Sequence, residues 1–304
     1  MRSVKTCLIL ATLAAISCGC GGRNGVKGHT QLTPSQRLVA KDATREELLD
    51  AYNLIARGIK TLNATVELKP TAGSKYSGVI DEYHEVKAFL LAARPAQIRV
   101  IGQAPVIGTT VFDMASDGET FRVSIPSKNK FLVGPVSVER TSSKPIENLR
   151  PQHLLDALLW PEIRKEESVT LREFNDESAR YYILTVLRGG YQVEVLREIW
   201  FDRSDLQVAR LLIFGPKGVL LSEVHLRDWQ PSDNATAAPA TSSTPAASFP
   251  RAIRIARPHD DYNLDLRITR VIINEEIPAE RFKLEQPAGA ELVRVGDATE
   301  SKQP

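Results

Sequence analysis

Cys18 is the residue of this chain best placed for chemistry. Residues 7–20 read CLILATLAAISCGC and follow Arg2 and Lys5, so a charged start and an apolar stretch run through small residues into a cysteine. Ala15-Ile16-Ser17 ahead of Cys18 is the order that a lipoprotein signal peptidase reads before the cysteine is acylated. Cys20 is a second acceptor, preceded by Ile16-Ser17-Cys18-Gly19. The Cys18 register fits better, because the medium apolar Ile16 and the small Ser17 then take the expected places. The apolar stretch falls far short of the ~20 residues needed to span a bilayer, so residues 1–17 are expected to be a bacterial lipoprotein signal and attachment is expected through lipid on Cys18.

The remaining reactive side chains do not assemble into a centre. The chain has three cysteines. Cys7 leaves with the signal and the other two sit at the tip of the mature chain, so no structural disulfide serves the folded body. His29, His84, His153, His225 and His259 are scattered without ligand spacing, which predicts no metal site. His259-Asp260-Asp261 reads as a solvated turn ahead of a strand at Tyr262. Asp81 and Glu82 point to opposite faces of one strand, and with Glu85 they make an exposed stretch rather than an acid/base pair. No nucleophile elbow or phosphate-binding glycine loop is present. The expectation is a protein that is not an enzyme and carries no cofactor. Removing Arg2 and Lys5 takes the formal charge from +2 to 0, and the evenly mixed charges give no footprint for nucleic acid.

The elements that would position a binding surface are legible. Residues 18–41 are Gly-rich, polar and aperiodic, a tether. Thr44-Arg-Glu-Glu47 is a capping box, followed by Leu48, Tyr52, Ile55 and Ile59 on one helical face, which predicts a helix over 44–58. The period then changes to two. Val66-Leu68, 79–87, 98–101, 109–114 and 121–125 read as strands of a meander, with turns at 71–74, 116–118 and 127–130. Leu154, Leu155, Leu158 and Leu159 after Pro151 predict a second helix. Strands resume at 181–187, 191–201, 206–214, 219–229, 249–255, 262–268 and near Phe282-Lys-Leu284. Residues 233–248 are an Ala/Ser/Thr/Pro insertion in a hairpin, and the tail at 296–304 is polar. These counts predict one domain over 42–295, mainly β with α: an antiparallel curled sheet or incomplete β-barrel of about eleven strands covered by helices. Two runs, 181–187 and 211–214, are apolar on both strand faces, so the second face of the sheet meets its own apolar surroundings there.

The order of motifs through 81–134 resembles a known family. A polar strand is followed by Leu91-Ala-Ala-Arg94-Pro95-Ala-Gln-Ile98-Arg99-Val100, Pro105, Met114-Ala-Ser-Asp117-Gly118-Glu119-Thr-Phe121 and Ile125-Pro126, with Lys128-Asn-Lys130 before Gly134. This succession, with the closing segment Asn263 to Val271, Ile277-Pro278 and Phe282, resembles the lipoprotein localization factors of the LolA and LolB type over residues 44–286. The resemblance implies an eleven-stranded half-barrel with helices in its mouth, enclosing an apolar cavity for the acyl chains of lipoproteins or lipids. It also implies an envelope location. The receptor branch is itself an outer-membrane lipoprotein facing the periplasm, and Gly19 lacks the Asp linked to inner-membrane retention. Receptor-type members expose an apolar loop that enters the membrane; Val106-Ile107 and Lys217-Gly218-Val219-Leu220 are the candidates here.

On that reading the lining residues are Leu90, Ile98, Val100, Val111, Phe121, Val123, Leu184, Val195, Leu212 and Leu266, the alternate apolar positions of the strands. Each methylene they bury contributes roughly 0.8 kcal/mol, enough to hold acyl chains without a covalent step. The competing reading keeps the fold and the lipid anchor but assigns a structural or sensory role, with a protein partner on the envelope side. A continuous cavity distinguishes the first reading, and a filled core with an exposed patch the second.

Overall fold

A computed structural model describes residues 39–74, 78–137, 148–176, 179–190, 192–234 and 248–296. The signal segment 1–17, Cys18, most of the 18–41 tether, the centre of the 233–248 insertion and the tail beyond 296 lie outside the described residues.

The chain opens with α1 (Arg45–Gly58), then β1 (Thr61–Ser74), β2 (Val79–Glu82), β3 (Val86–Ala93), β4 (Gln97–Gln103), β5 (Thr110–Ser116), β6 (Thr120–Ile125) and β7 (Lys130–Pro135). After α2 (Pro151–Leu158) come β8 (Glu167–Asn175), β9 (Arg180–Arg188), β10 (Glu194–Asp202), β11 (Val208–Phe214), β12 (Leu220–Pro231), β13 (Ser248–Arg257), β14 (Tyr262–Ile273) and β15 (Glu291–Arg294). All fifteen strands join one sheet in the order β15-β7-β6-β5-β4-β3-β1-β14-β13-β12-β11-β10-β9-β8, with β2 also on β1. The sheet is open and curled rather than closed. It is antiparallel throughout except that β15 runs parallel to β7. β1 and β14 pair along Leu62 to Ala72 and so join the two meanders at the centre.

Both helices lie on the inner face of the curl, for reasons visible in the residues. Thr44 caps α1: the Glu47 amide donates to Thr44 Oγ1 (3.2 Å), and the Thr44 amide donates to Glu47 Oε2 (2.8 Å). These bonds satisfy two orphan helix donors. Leu48, Tyr52 and Ala56 of α1 and Leu154, Leu155 and Leu158 of α2 then share one buried core with Leu62, Ala64, Val66 and Leu68, the alternate positions of β1, with α1 approaching β9 and α2 approaching β4 and β5. Outside this face, Leu91 and Ala93 of β3 form a small second cluster with Phe282.

The sheet exceeds the expected strand count for local reasons. Predicted run 79–87 breaks at residues 83–85 into β2 and β3. β7 follows the polar turn at Lys128-Asn129, and Asn129 takes the left-handed conformation there. β8 is a sheet edge whose side chains are mostly exposed, so its apolar alternation is faint. Phe282 closes a 3-10 turn at Ala279–Phe282 instead of a strand, and the final strand is Glu291–Arg294.

Candidate functional site

One side chain reaches the exits of both helices over the inner face. Arg94 stands at the turn between β3 and β4. Its Nε donates to the Ile59 carbonyl just past α1 (2.9 Å), and its Nη2 donates to the Trp160 carbonyl just past α2 (2.8 Å). Its own amide donates to the Lys60 carbonyl at 2.9 Å. One guanidinium thus ties both helix exits to a sheet turn, and its rigid fork suits two carbonyls at once. Partial burial lowers its pKa from the usual guanidinium value.

Beneath this latch the packing is aromatic. The Tyr52 ring stacks on Trp160 at 5.7 Å, and Trp160 meets Trp229 edge-on at 5.9 Å. The Tyr52 hydroxyl donates to the Pro161 carbonyl (2.9 Å), and burial pushes its pKa up to about 12. Asn53 exchanges hydrogen bonds with the backbone of Ile163, accepting at 2.9 Å and donating at 3.3 Å. The gap left between Ile55, Ile59, Leu158, Trp160, Trp229 and Phe249 does not admit a water molecule. The space under the helices is a closed apolar seam, not an open cavity.

The ten expected lining residues divide accordingly. Leu90, Ile98, Val100, Leu184 and Leu266 are fully buried in the core beneath the helices, and Val123 packs against it half-buried. Phe121 is also buried, covered by the Arg150 guanidinium 4.6 Å from its ring centre. Three do not reach the inner face. Val111 is 38% exposed. An irregularity in β10 after Val195 hands the inward position to Leu196. Leu211 faces the core, while Leu212 stands on the opposite face between Glu198 and Glu223. Bulges shift strand parity, and strict alternation has no means of anticipating them. The sequence reading missed Arg94, Tyr52 and Trp160 as site residues; the Arg-Pro step and an aromatic on the α1 stripe were the available signals.

A polar contact holds α2 from below. His153 Nδ1 is hydrogen-bonded to the Tyr262 hydroxyl, with the rings stacked 6.1 Å apart, and Arg257 pairs with Asp260 at 2.8 Å beside it. Burial, then Arg257 and Arg150, hold His153 well below the ordinary imidazole range. Burial pushes Asp156, on the same helix, up to about 6. Burial also raises the Tyr262 phenol.

Of the two apolar loop candidates, Val106 and Ile107 stand at the tip between β4 and β5, 95% and 76% exposed. The Ala104 and Gly108 amides close that tip, donating to Thr109 and Ala104 carbonyls. At the second candidate Val219 is only 38% exposed and Leu220 is half-buried. Among the described residues no helix is long and apolar enough to cross a membrane.

No family model and no curated protein matches the chain. Several solved structures do. A LolA superfamily protein from Nitrosomonas europaea is 13% identical, with 80% of this chain and 99% of that chain covered at a TM-score of 0.46. A putative outer membrane lipoprotein-sorting protein domain from Vibrio parahaemolyticus is 10% identical, with 78% and 94% covered at 0.44. A DUF1329 family protein from Desulfovibrio piger is 13% identical, with 77% and 94% covered at 0.45. The chain is similar to each of them over most of both lengths.

Proposed function

We propose that this protein is anchored in the cell envelope by lipid on Cys18 and binds acyl chains of lipoproteins or lipids beneath α1 and α2, as a step in sorting them to the outer membrane. The Arg94 latch carries the reading. An apolar seam that Arg94 pins at both helix exits, with the Tyr52–Pro161 and Asn53–Ile163 bonds beside it, opens when those bonds are exchanged for water. The surface then uncovered, from Ile55 and Leu158 to Trp229 and Phe249, is the kind that takes hydrocarbon. Val106 and Ile107 supply a membrane-facing tip, since adjacent large apolar side chains at a hairpin end find their favourable surroundings in lipid. The protein acts by binding, without a catalytic step.

The test uses the full chain with Cys18 and Cys20 replaced by serine, so that its own anchor is absent. Native mass spectrometry and solvent extraction then look for bound acyl lipid, backed by titration with a fluorescent fatty acid. Stoichiometric lipid or saturable uptake supports the proposal. An empty protein that takes up no probe refutes it and leaves the second reading, a lipid-anchored protein that docks a protein partner. The second reading rests on the filled interior, and the first on that interior opening at Arg94.

A further inference from the structure

Besides the small Leu91, Ala93 and Phe282 cluster, the face of the sheet turned away from the helices carries an aromatic patch. There Phe174 of β8, Tyr181 of β9 and Trp200 of β10 form a continuous aromatic wall. Trp200 lies 5.4 Å from Phe174 and 5.5 Å from Tyr181, both in tilted or edge-on arrangements. Their neighbours along the strands, Tyr182, Ile199 and Phe201, point into the core, so the three rings answer to the second apolar surface expected around residues 181–187. They border a groove of about 790 Å³ that continues to Gln207, Arg210 and Arg227, a volume within the ~300–1,000 Å³ of small-ligand sites. Arg210 and Arg172 lie over the Trp200 ring at 4.7 and 5.8 Å, which makes Trp200 the floor. Phe174, 40% exposed, and Tyr181 remain as the open wall.

The polar lining narrows the chemistry. Among the described residues no side chain makes a hydrogen bond or ion pair with the Arg227 guanidinium or the Tyr181 hydroxyl, although Asp202, Asp176, Arg210 and Arg227 act on that hydroxyl through their charge. Asp202 and Asp205 each spend one oxygen on a local backbone amide, of Ser204 and Gln207. An apolar ligand would strand these groups, at roughly 1–3 kcal/mol for each one left unsatisfied. A cation meets Arg210 and Arg227, and an anion meets Asp176, Asp202, Asp205 and Asp228. A neutral ligand that both donates and accepts hydrogen bonds, and that carries one C–H face for the rings, satisfies all of them.

We propose that this groove binds an oligosaccharide, with a pyranose ring lying against Phe174 and Tyr181 and its hydroxyls shared among Arg227, Gln207, Asp202 and Asp205. The alternative use of the same rings is purely structural, as a cross-strand ladder that stiffens the sheet.

The two are separated by isothermal titration of the full chain with chitotetraose, cellotetraose and isomaltotetraose, followed by Phe174→Ala and Arg227→Ala. Saturable binding of at least one tetrasaccharide, weakened about tenfold or more in both variants at unchanged melting temperature, is the expected result. No saturable heat with any of the three, or binding that neither variant moves, overturns the proposal. A melting temperature that falls in Phe174→Ala with no sugar bound by the parent assigns the wall to the ladder.

Discussion

Replacing Arg94 by methionine tests whether the helices form an openable cover. The substitution keeps the length of the aliphatic stem while deleting the donors to the Ile59 and Trp160 carbonyls, at 2.9 and 2.8 Å. A hydrogen bond from a charged donor contributes about 1.5–3 kcal/mol. Arg94 is only half-buried and its two bonds share one side chain, so the joint effect is set at about 2–4 kcal/mol. If the bonds exist only in the closed state, the closed-to-open ratio falls by at least about 30-fold, the equivalent of 2 kcal/mol. The first assay is uptake of a fluorescent fatty acid, which should rise because a ligand of the open state no longer works against the latch. The second is amide hydrogen exchange, which should quicken in α1 while the paired centre of β1 and β14 keeps its protection. Uptake equal to that of the parent, with α1 exchange unchanged, would refute the latch. Exchange quickened equally across sheet and helix would also refute it, because Arg94 would then hold the whole fold rather than a cover.

Three further outcomes follow from the same geometry. Val106→Asp with Ile107→Asp should leave the melting temperature unchanged, since both side chains are exposed, and should abolish co-sedimentation of the Cys18→Ser, Cys20→Ser chain with lipid vesicles, each side chain forfeiting about 1.5–3 kcal/mol of apolar transfer. Leu184→Ala should cost about 2–5 kcal/mol in urea unfolding, and Val111→Ala, on an exposed site, should change little. The pH dependence has two opposing slopes. His153 is depressed below its ordinary 6.5, so its contribution is complete above that value and is lost as pH falls below it, a slope that His153→Gln should remove. Asp156 is raised from 3.8 to about 6, so stability is highest below the lower value and declines as pH rises to the upper one. Asp156→Asn should therefore raise the unfolding midpoint at neutral pH, and an unchanged midpoint would count against the assigned burial.

What local chemistry specifies was readable in the residues. The Thr44 to Glu47 box and the Leu48-Tyr52 stripe place α1, Pro151 and the following leucines place α2, and the alternation of β1 and β14 and the apolar run of β9 mark strands, because each pattern depends on neighbours within a turn or a pleat. The curled antiparallel sheet with helices on one face follows from these. Three things were decided only by tertiary structure. Parity at Val195 and Leu212 was set by bulges, which arise from pairing with the adjacent strand. β8 and β15 exist because an open edge is there to receive them, although their own patterns are weak. Arg94 meets the Ile59 and Trp160 carbonyls, 35 and 66 residues away, because the curl of the sheet carries its turn up to both helix exits. The amino-acid order alone places the apolar residues on one surface. Whether that surface is a cavity or a closed seam depends on how large side chains from distant segments interlock, and here Tyr52, Trp160 and Trp229 fill it.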